Sequence, residues 1–371
     1  MRNACLTIAA AALVIAGLET TTSGQRGAAA TCNRDCLTAI SEQYIAALLA
    51  KDPSKAPIAP NARWTDNGQE LTIGADGFWN SASGRGLYTL HIADPVLGSI
   101  VTFATMREGE TVKRPVLMAQ RLKVVNGRIT EIEDIVARGD RESEGAMRLD
   151  GIPIPPPARA GGPAAAPATP TVAPPQAPQK PRDAFLRPTP PADRMTRQEL
   201  VRVANMYFSG MQLNDGKGKY PFADDCNRLE NGSPTTNAPG RAGQPRPDPK
   251  TATSYSAMWS CREQFESGLL HFVSRIRDRR YVAVDEERGI VVAFGFFDHD
   301  AGKNRHFTTP DGRSIVGGPQ EPYTWEIAEA FKVEKGLLHE VEAVLTRAPY
   351  GMGSGWSSRA DAMSDRIQFE K

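Results

Sequence analysis

The stretches RLKVVNGRITEIEDIV (residues 121–136) and AFKVEKGLLHEVEAVL (residues 330–345) decide how this chain folds. Each alternates apolar and polar side chains on both sides of a glycine turn, the pattern of a β-hairpin. Superimposed, they align Gly127 with Gly336, Glu131 with Glu340 and Glu133 with Glu342. Moving outward, ADPVLGSIVTF (93–103) parallels VDEERGIVVAF (284–294), each a strand, a turn and a strand. ARWTDNG (62–68) parallels CNRLENG (226–232), setting Asp66 against Glu230 and Asn67 against Asn231. Each copy opens on an amphipathic helix. Leu37, Ile40, Tyr44 and Leu48 form the stripe over 35–49, and Leu200, Val203, Tyr207 and Met211 the stripe over 196–211. Asp35 and Thr196 are the expected N-caps. Blocks recurring in one order define an internal duplication.

Each copy is therefore an α+β module: a helix, then a run of antiparallel strands closed by a hairpin. A curved sheet must cover one face, and the helices cover it, leaving a cone with an apolar pocket. The first cone is expected over 31–150 and the second over 195–371, with an insertion at 233–255 rich in Gly, Pro and Thr. That insertion reads as a surface loop or as a lid. Between the cones, 151–194 is Pro/Ala-rich and cannot bury a core; its prolines favour extended polyproline II, a spacer. Within it Ala184-Phe185-Leu186 could dock locally.

The chain has 371 residues, 44 basic and 43 acidic, for a formal charge of +1. Such a balance supplies no field to gather nucleic acid or anionic lipid. Residues 1–30 read as a signal peptide: a basic Arg2, an apolar run too short to span a bilayer, and Ala28-Ala29-Ala30 as a cleavage site. The mature chain is expected to be secreted or periplasmic. Its remaining cysteines, Cys32, Cys36, Cys226 and Cys261, allow three pairings, of which the one local to each half is favoured.

The layout, with the strand signatures WTDNG, GSIVTF and LKVVNGRITEIE, resembles the nuclear transport factor 2-like superfamily, its SnoaL-like branch above all, here as a tandem duplication. The resemblance covers both halves. It implies a cone-shaped α+β barrel whose relatives include isomerases, cyclases, dehydratases and lyases as well as proteins that only bind, so fold does not settle activity. It also implies pairing through the sheet, which a tandem chain could achieve internally as a pseudo-dimer.

Enzymes of that superfamily often carry a carboxylate at the end of the first strand, which falls on Asp66 and Glu230. Apolar walls desolvate such a group and raise its pKa toward working pH, where it can move a proton. The competing reading is a plain turn, since Asn-Gly favours turns. Tyr207 and Tyr44 sit at equivalent helix positions and could donate to an oxyanion or fill the core. His271, among apolar neighbours, is a proton-transfer candidate or a core histidine. Trp64 flanks Asp66 as packing surface, Arg228 could pair with Glu230, which would argue against a general base there, and Trp325 alternates with Glu326 on a strand facing either the pocket or the other half. Asp298-His299-Asp300, at a strand end, is expected to be solvated. No metal-ligand spacing, dinucleotide fingerprint or nucleophile elbow is present, so no metal and no cofactor are expected. Two functions follow: a cofactor-independent enzyme of proton-transfer chemistry on a small, partly apolar metabolite, or a non-catalytic ligand-binding or protein-interaction scaffold.

Overall fold

A computed structural model describes residues 32–154, 179–240 and 243–370; the expected signal peptide and the middle of the linker lie outside them. The first half runs α1 (Arg34–Leu49), β1 (Ile58–Asp66), β2 (Gln69–Glu70), α2 (Gly77–Ser81), β3 (Ala82–Asp94), β4 (Ser99–Glu108), β5 (Arg114–Val125), β6 (Arg128–Ala137) and α3 (Asp140–Leu149). After the linker come α4 (Asp183–Leu186), α5 (Arg197–Leu213), β7 (Phe222–Glu230), β8 (Ser233–Pro234), α6 (Cys261–Glu266), β9 (Arg275–Asp285) and β10 (Ile290–His299). A small ribbon, β11 (His306–Thr308) with β12 (Ser314–Val316), precedes the hairpin β13 (Tyr323–Glu334) and β14 (Leu337–Ala348), and α7 (Arg359–Ala362) and β15 (Ile367–Phe369) end the chain.

The fold class is the expected one. The six-stranded sheet has the order β2-β1-β6-β5-β4-β3, and the seven-stranded sheet repeats it as β8-β7-β14-β13-β10-β9, with β15 added beyond β9. The sheets are not wholly antiparallel: β1 joins β6, and β7 joins β14, in parallel. The first strand of each half thus lies beside the last, and the helix that precedes it crosses the concave face.

Thr196 caps α5 in a full capping box with Glu199. At α1 the cap is Asn33, not Asp35: its side chain accepts from the Cys36 amide at 3.0 Å. Asp35 falls in the first turn, where its charge faces the positive end of the helix dipole. The two disulfides are the local ones, Cys32–Cys36 and Cys226–Cys261.

Each concave face packs on its own helix, around Tyr44, Trp64 and Trp79 in the first half and Tyr207, Phe208 and Phe331 in the second. The opposite faces of the two sheets meet in a third cluster that includes Leu90, Phe103, Val292, Phe294 and Ala328, and Phe185 of α4 is buried in it. Charged groups frame this contact. Arg280 donates to Glu133 at 2.6 and 2.8 Å, Arg197 donates to Asp94 at 2.6 and 2.7 Å, and the Tyr88 hydroxyl donates to Glu342 at 2.6 Å. The C-terminal segment adds a strap: the Trp356 indole donates to Thr65 Oγ1 at 2.9 Å under the guanidinium of Arg63.

Gly145 of α3 abuts the turn at Asn231-Gly232 so closely that a Cβ would collide with the Asn231 carbonyl. Backbone atoms cannot swing aside as a flexible side chain would. Gly145→Ala is therefore expected to cost about 1–3 kcal/mol in chemical denaturation; a loss below ~0.5 kcal/mol would show that the helix shifts freely.

Candidate functional site

A cavity of about 130 Å³ lies inside the second cone, between α5 and the concave face. Met211, Leu270, Val273, Phe297, Ile327 and Leu345 give it apolar walls, Tyr255, Phe272 and Trp325 line it with rings, and Arg228, Glu230, Thr235 and Glu329 bring polar atoms to it. Strand alternation explains the set. Trp325, Ile327 and Glu329 point from β13 into the cone, while Glu326 and Ala328 turn to the face that meets the first half.

Glu230 ends β7, where Asn231 and Gly232 both adopt positive φ and close the turn. Turn and inward acid thus coexist. Arg228, two residues earlier on the same face, donates one Nη to Glu230 and the other to Gln264 Oε1 at 2.7 Å. Burial opposes its charge, but the acidic groups around it outweigh burial and raise its pKa, and the guanidinium stays protonated. Its Nε has no partner among the described residues.

Glu329 is 1% exposed. Burial, reinforced by nearby Glu230 and opposed by Arg228 and Tyr207, pushes its carboxyl up to about 8. At neutral pH it is mostly a neutral acid, able to donate. Tyr207, fully buried, interacts with Glu329, and burial pushes its hydroxyl well above the ordinary tyrosine range. Neither the Tyr207 hydroxyl nor Glu329 Oε2 completes a hydrogen bond of good geometry. Arg228 and Glu329 thus reach the cavity, with the Tyr207 hydroxyl facing Glu329 behind it.

The first half resolves the same positions differently. Hairpin register places Gln120 opposite Asp134, as it places Glu329 opposite Ala343. The acid has moved to the neighbouring strand, and Trp64 stands where the second half has Arg228. Asp134 accepts from Trp64 Nε1 at 2.8 Å and from Gln120 Nε2 at 3.0 Å; burial pushes it up to about 7. The Tyr44 hydroxyl accepts from Trp79 Nε1 at 2.8 Å, and Trp64, Phe78 and Trp79 are at most 1% exposed. Asp66 accepts from the Phe78 amide at 2.8 Å and faces Arg138 at 3.3 Å. Each of these acids thus accepts at least one hydrogen bond within the first half.

Of the expected site residues, the structure brings Glu230, Arg228 and Trp325 to one cavity with Tyr207 behind it. Tyr44, Trp64 and Asp66 cluster in the first half. His271 does not line the cavity; its ring stacks on Phe307 at 4.4 Å. Asp298 and His299 are buried rather than solvated: Arg275 and Arg277 pair with Asp298, and His299 stacks between Tyr323 and Phe272. Glu329, Gln264 and Tyr255 escaped the sequence reading. For Glu329 a signal existed, since continuing the alternation from Trp325 through Ile327 reaches it. Gln264 and Tyr255 arrive from beyond the insertion and at its end, where no periodicity points.

Helix-capped mixed sheets, repeated in tandem and with one cone enclosing a cavity, define the class: a two-cone α+β protein laid out as the nuclear transport factor 2-like resemblance implies. The chain belongs to the family of DUF8021, a domain of unknown function, whose model matches residues 30–136 and 193–345. No curated protein matches it. Among solved structures it is similar to a candidate ketosteroid isomerase from Kribbella flavida, at 18% identity over 36% of this chain and 91% of that one, with a TM-score of 0.23. A candidate polyketide cyclase from Sinorhizobium meliloti shows 18% identity over 26% and 93%, with a TM-score of 0.21. A protein of ketosteroid isomerase-like fold from Catenulispora acidiphila, solved with trimethylamine, shows 16% identity over 31% and 93%, with a TM-score of 0.22.

Among the described residues no helix is long and apolar enough to cross a membrane.

Proposed function

We propose that the second cone is the active site of an exported, cofactor-independent enzyme of proton-transfer chemistry, in the isomerase, dehydratase or lyase class. Its substrate is a small, partly apolar molecule whose oxygen gains negative charge as a proton leaves carbon. The observation that carries this reading is that Arg228, whose Nε has no partner among the described residues, the buried acid Glu329 with Tyr207 behind it, and Glu230 all meet at one largely apolar cavity. Glu230 is held in place by its contact with Arg228, while burial favours the protonated form of Glu329. Glu230 takes the proton, and the donors receive the developing charge where water is excluded. Asp66 and His271 have no part in this step. The first cone serves as the fixed half of an internal pseudo-dimer, and the two disulfides support export.

A general probe of carbon acidity tests this. The protein is incubated in D2O with a panel of small enolisable ketones, and loss of C–H signal is followed by proton NMR. Glu230→Gln is expected to slow exchange by about 10²–10⁴-fold, and Glu329→Gln by about 10²–10³-fold. Exchange that persists in both variants removes the proposal. Ligands that bind without exchange identify the scaffold alternative instead.

A further inference from the structure

The two ends of the insertion at 233–255, within the described residues, are held in place. They form part of the cavity wall: Thr235 comes from the start and Tyr255 from the end. Tyr255 packs against both the cone's own core and the small cluster around Trp259 outside it. Its hydroxyl donates to the Thr235 carbonyl at 2.8 Å, so the ends are stitched to each other.

They are also stitched to the catalytic face. The Gln264 side chain is fully buried. Its Nε2 donates to the carbonyls of Thr235 (2.5 Å) and Ser256 (3.0 Å), while its Oε1 accepts from Arg228. The disulfide Cys226–Cys261 links the same two elements, β7 and α6, beside this contact. Farther out, Trp259 Nε1 donates to the Pro247 carbonyl at 2.7 Å. A segment tied at this many points is a fixed wall.

A fixed wall sets a size limit. The cavity volume is about 130 Å³, and an apolar cavity of about 150 Å³ holds benzene. There is room for one ring and not for two. Arg228 and Glu329 line the cavity with Tyr207 behind Glu329, so a ring's oxygen has polar partners there.

We propose that Tyr255 is the specificity-determining residue of this cavity and restricts it to single-ring molecules bearing one acidic or enolisable oxygen. This rests on the proton-transfer reading for the role of the oxygen, but the size limit stands on the wall alone.

The experiment is calorimetric titration of the full-length protein with phenol and 2-naphthol, which share the oxygen and differ by one fused ring. Wild type is expected to bind phenol at least tenfold tighter. Tyr255→Ala should reverse the preference by admitting 2-naphthol, whereas Tyr255→Phe, which keeps the ring and loses the Thr235 bond, should retain it. Tyr255→Leu, less disruptive to packing, should narrow the gap if the alanine variant fails to fold. Equal binding of the two probes by wild type, a phenol preference that survives in Tyr255→Ala or is left unnarrowed in Tyr255→Leu, or binding of neither probe overturns the inference. A merely structural tyrosine would weaken both ligands together. Size selection without deuterium exchange would remove the enzymatic reading and leave this one standing, and rapid exchange on fused-ring ketones would do the reverse.

Discussion

Glu133→Ala is expected to destabilise the protein by about 3–5 kcal/mol. Glu133 lies in β6 of the first half at 1% exposure and takes both terminal nitrogens of Arg280 from β9 of the second. Burial works against the Arg280 guanidinium, and Glu133 is the largest influence that restores its charge. Without Glu133, Arg280 keeps Asp278, 3.7 Å from its Nε, as a distant partner. Nearby Glu326 is itself held above the ordinary range by burial and then by Glu133. The cost is that of a buried cation left without its counter-ion, larger than the worth of the pair itself. Accordingly the double variant Glu133→Leu/Arg280→Leu should recover most of the loss. Urea melts of the single and double variants check this, and a single-variant loss under ~1 kcal/mol would show that the sheet contact does not depend on the pair.

Stability is expected to fall as pH rises from about 5 to about 8. Burial, opposed by the Tyr88 hydroxyl and by Arg182, pushes Glu342 up to about 7, and the first-half acid Asp134 also reaches about 7. Glu329 reaches about 8. In the unfolded chain these groups ionise near pH 4. Between the two values the folded state holds protons that the unfolded state has released, so each step up in pH favours unfolding, and the penalty levels off above the folded pKa. A shift of this size corresponds to about 3–4 kcal/mol for one fully buried group. His299 acts oppositely. Burial holds it down to about 4, so between about pH 4 and 6.5 it offsets about one of these three carboxyls. The net fall therefore begins just above about pH 4 and is steeper above about pH 6.5, and the optimum should lie near about pH 4–4.5. Glu342→Gln, which can still accept from Tyr88, should raise the melting temperature at pH 8 and flatten the fall between pH 5 and 8. A melting curve against pH that is unchanged in this variant would show that Glu342 is already ionised in the folded protein.

Both predictions concern groups whose sequence context gave no warning. Glu133 and Glu342 are equivalent in the repeat, on hairpin strands whose alternation says only that one face is apolar. Which partner each meets depends on the other half: Glu133 finds Arg280, and Glu342 finds Tyr88. The pocket shows the same division. Alternation through Trp325 and Ile327 contains the information that Glu329 faces inward, because period two is a local property of the backbone. That its carboxyl is a proton donor is not local, since the cause is burial by α5 and the proximity of Glu230. The solvated ending expected at Asp298-His299 fails for the same reason: Arg275 and Arg277 from the neighbouring strand and the rings of Phe272 and Tyr323 enclose it.

Thus the sequence alone determined the duplication, the α+β module, the hairpins, the α5 cap and the local disulfides, because each depends on periodicity, turn chemistry or short spacing along the chain. Tertiary structure alone decided that Asp134 in the first cone accepts from Trp64 and Gln120, that the sheets meet through buried ion pairs, and that Thr235 and Tyr255 of the insertion line the cavity. Those outcomes hang on which side chains from distant segments share a desolvated volume, and desolvation is a property of the assembled fold.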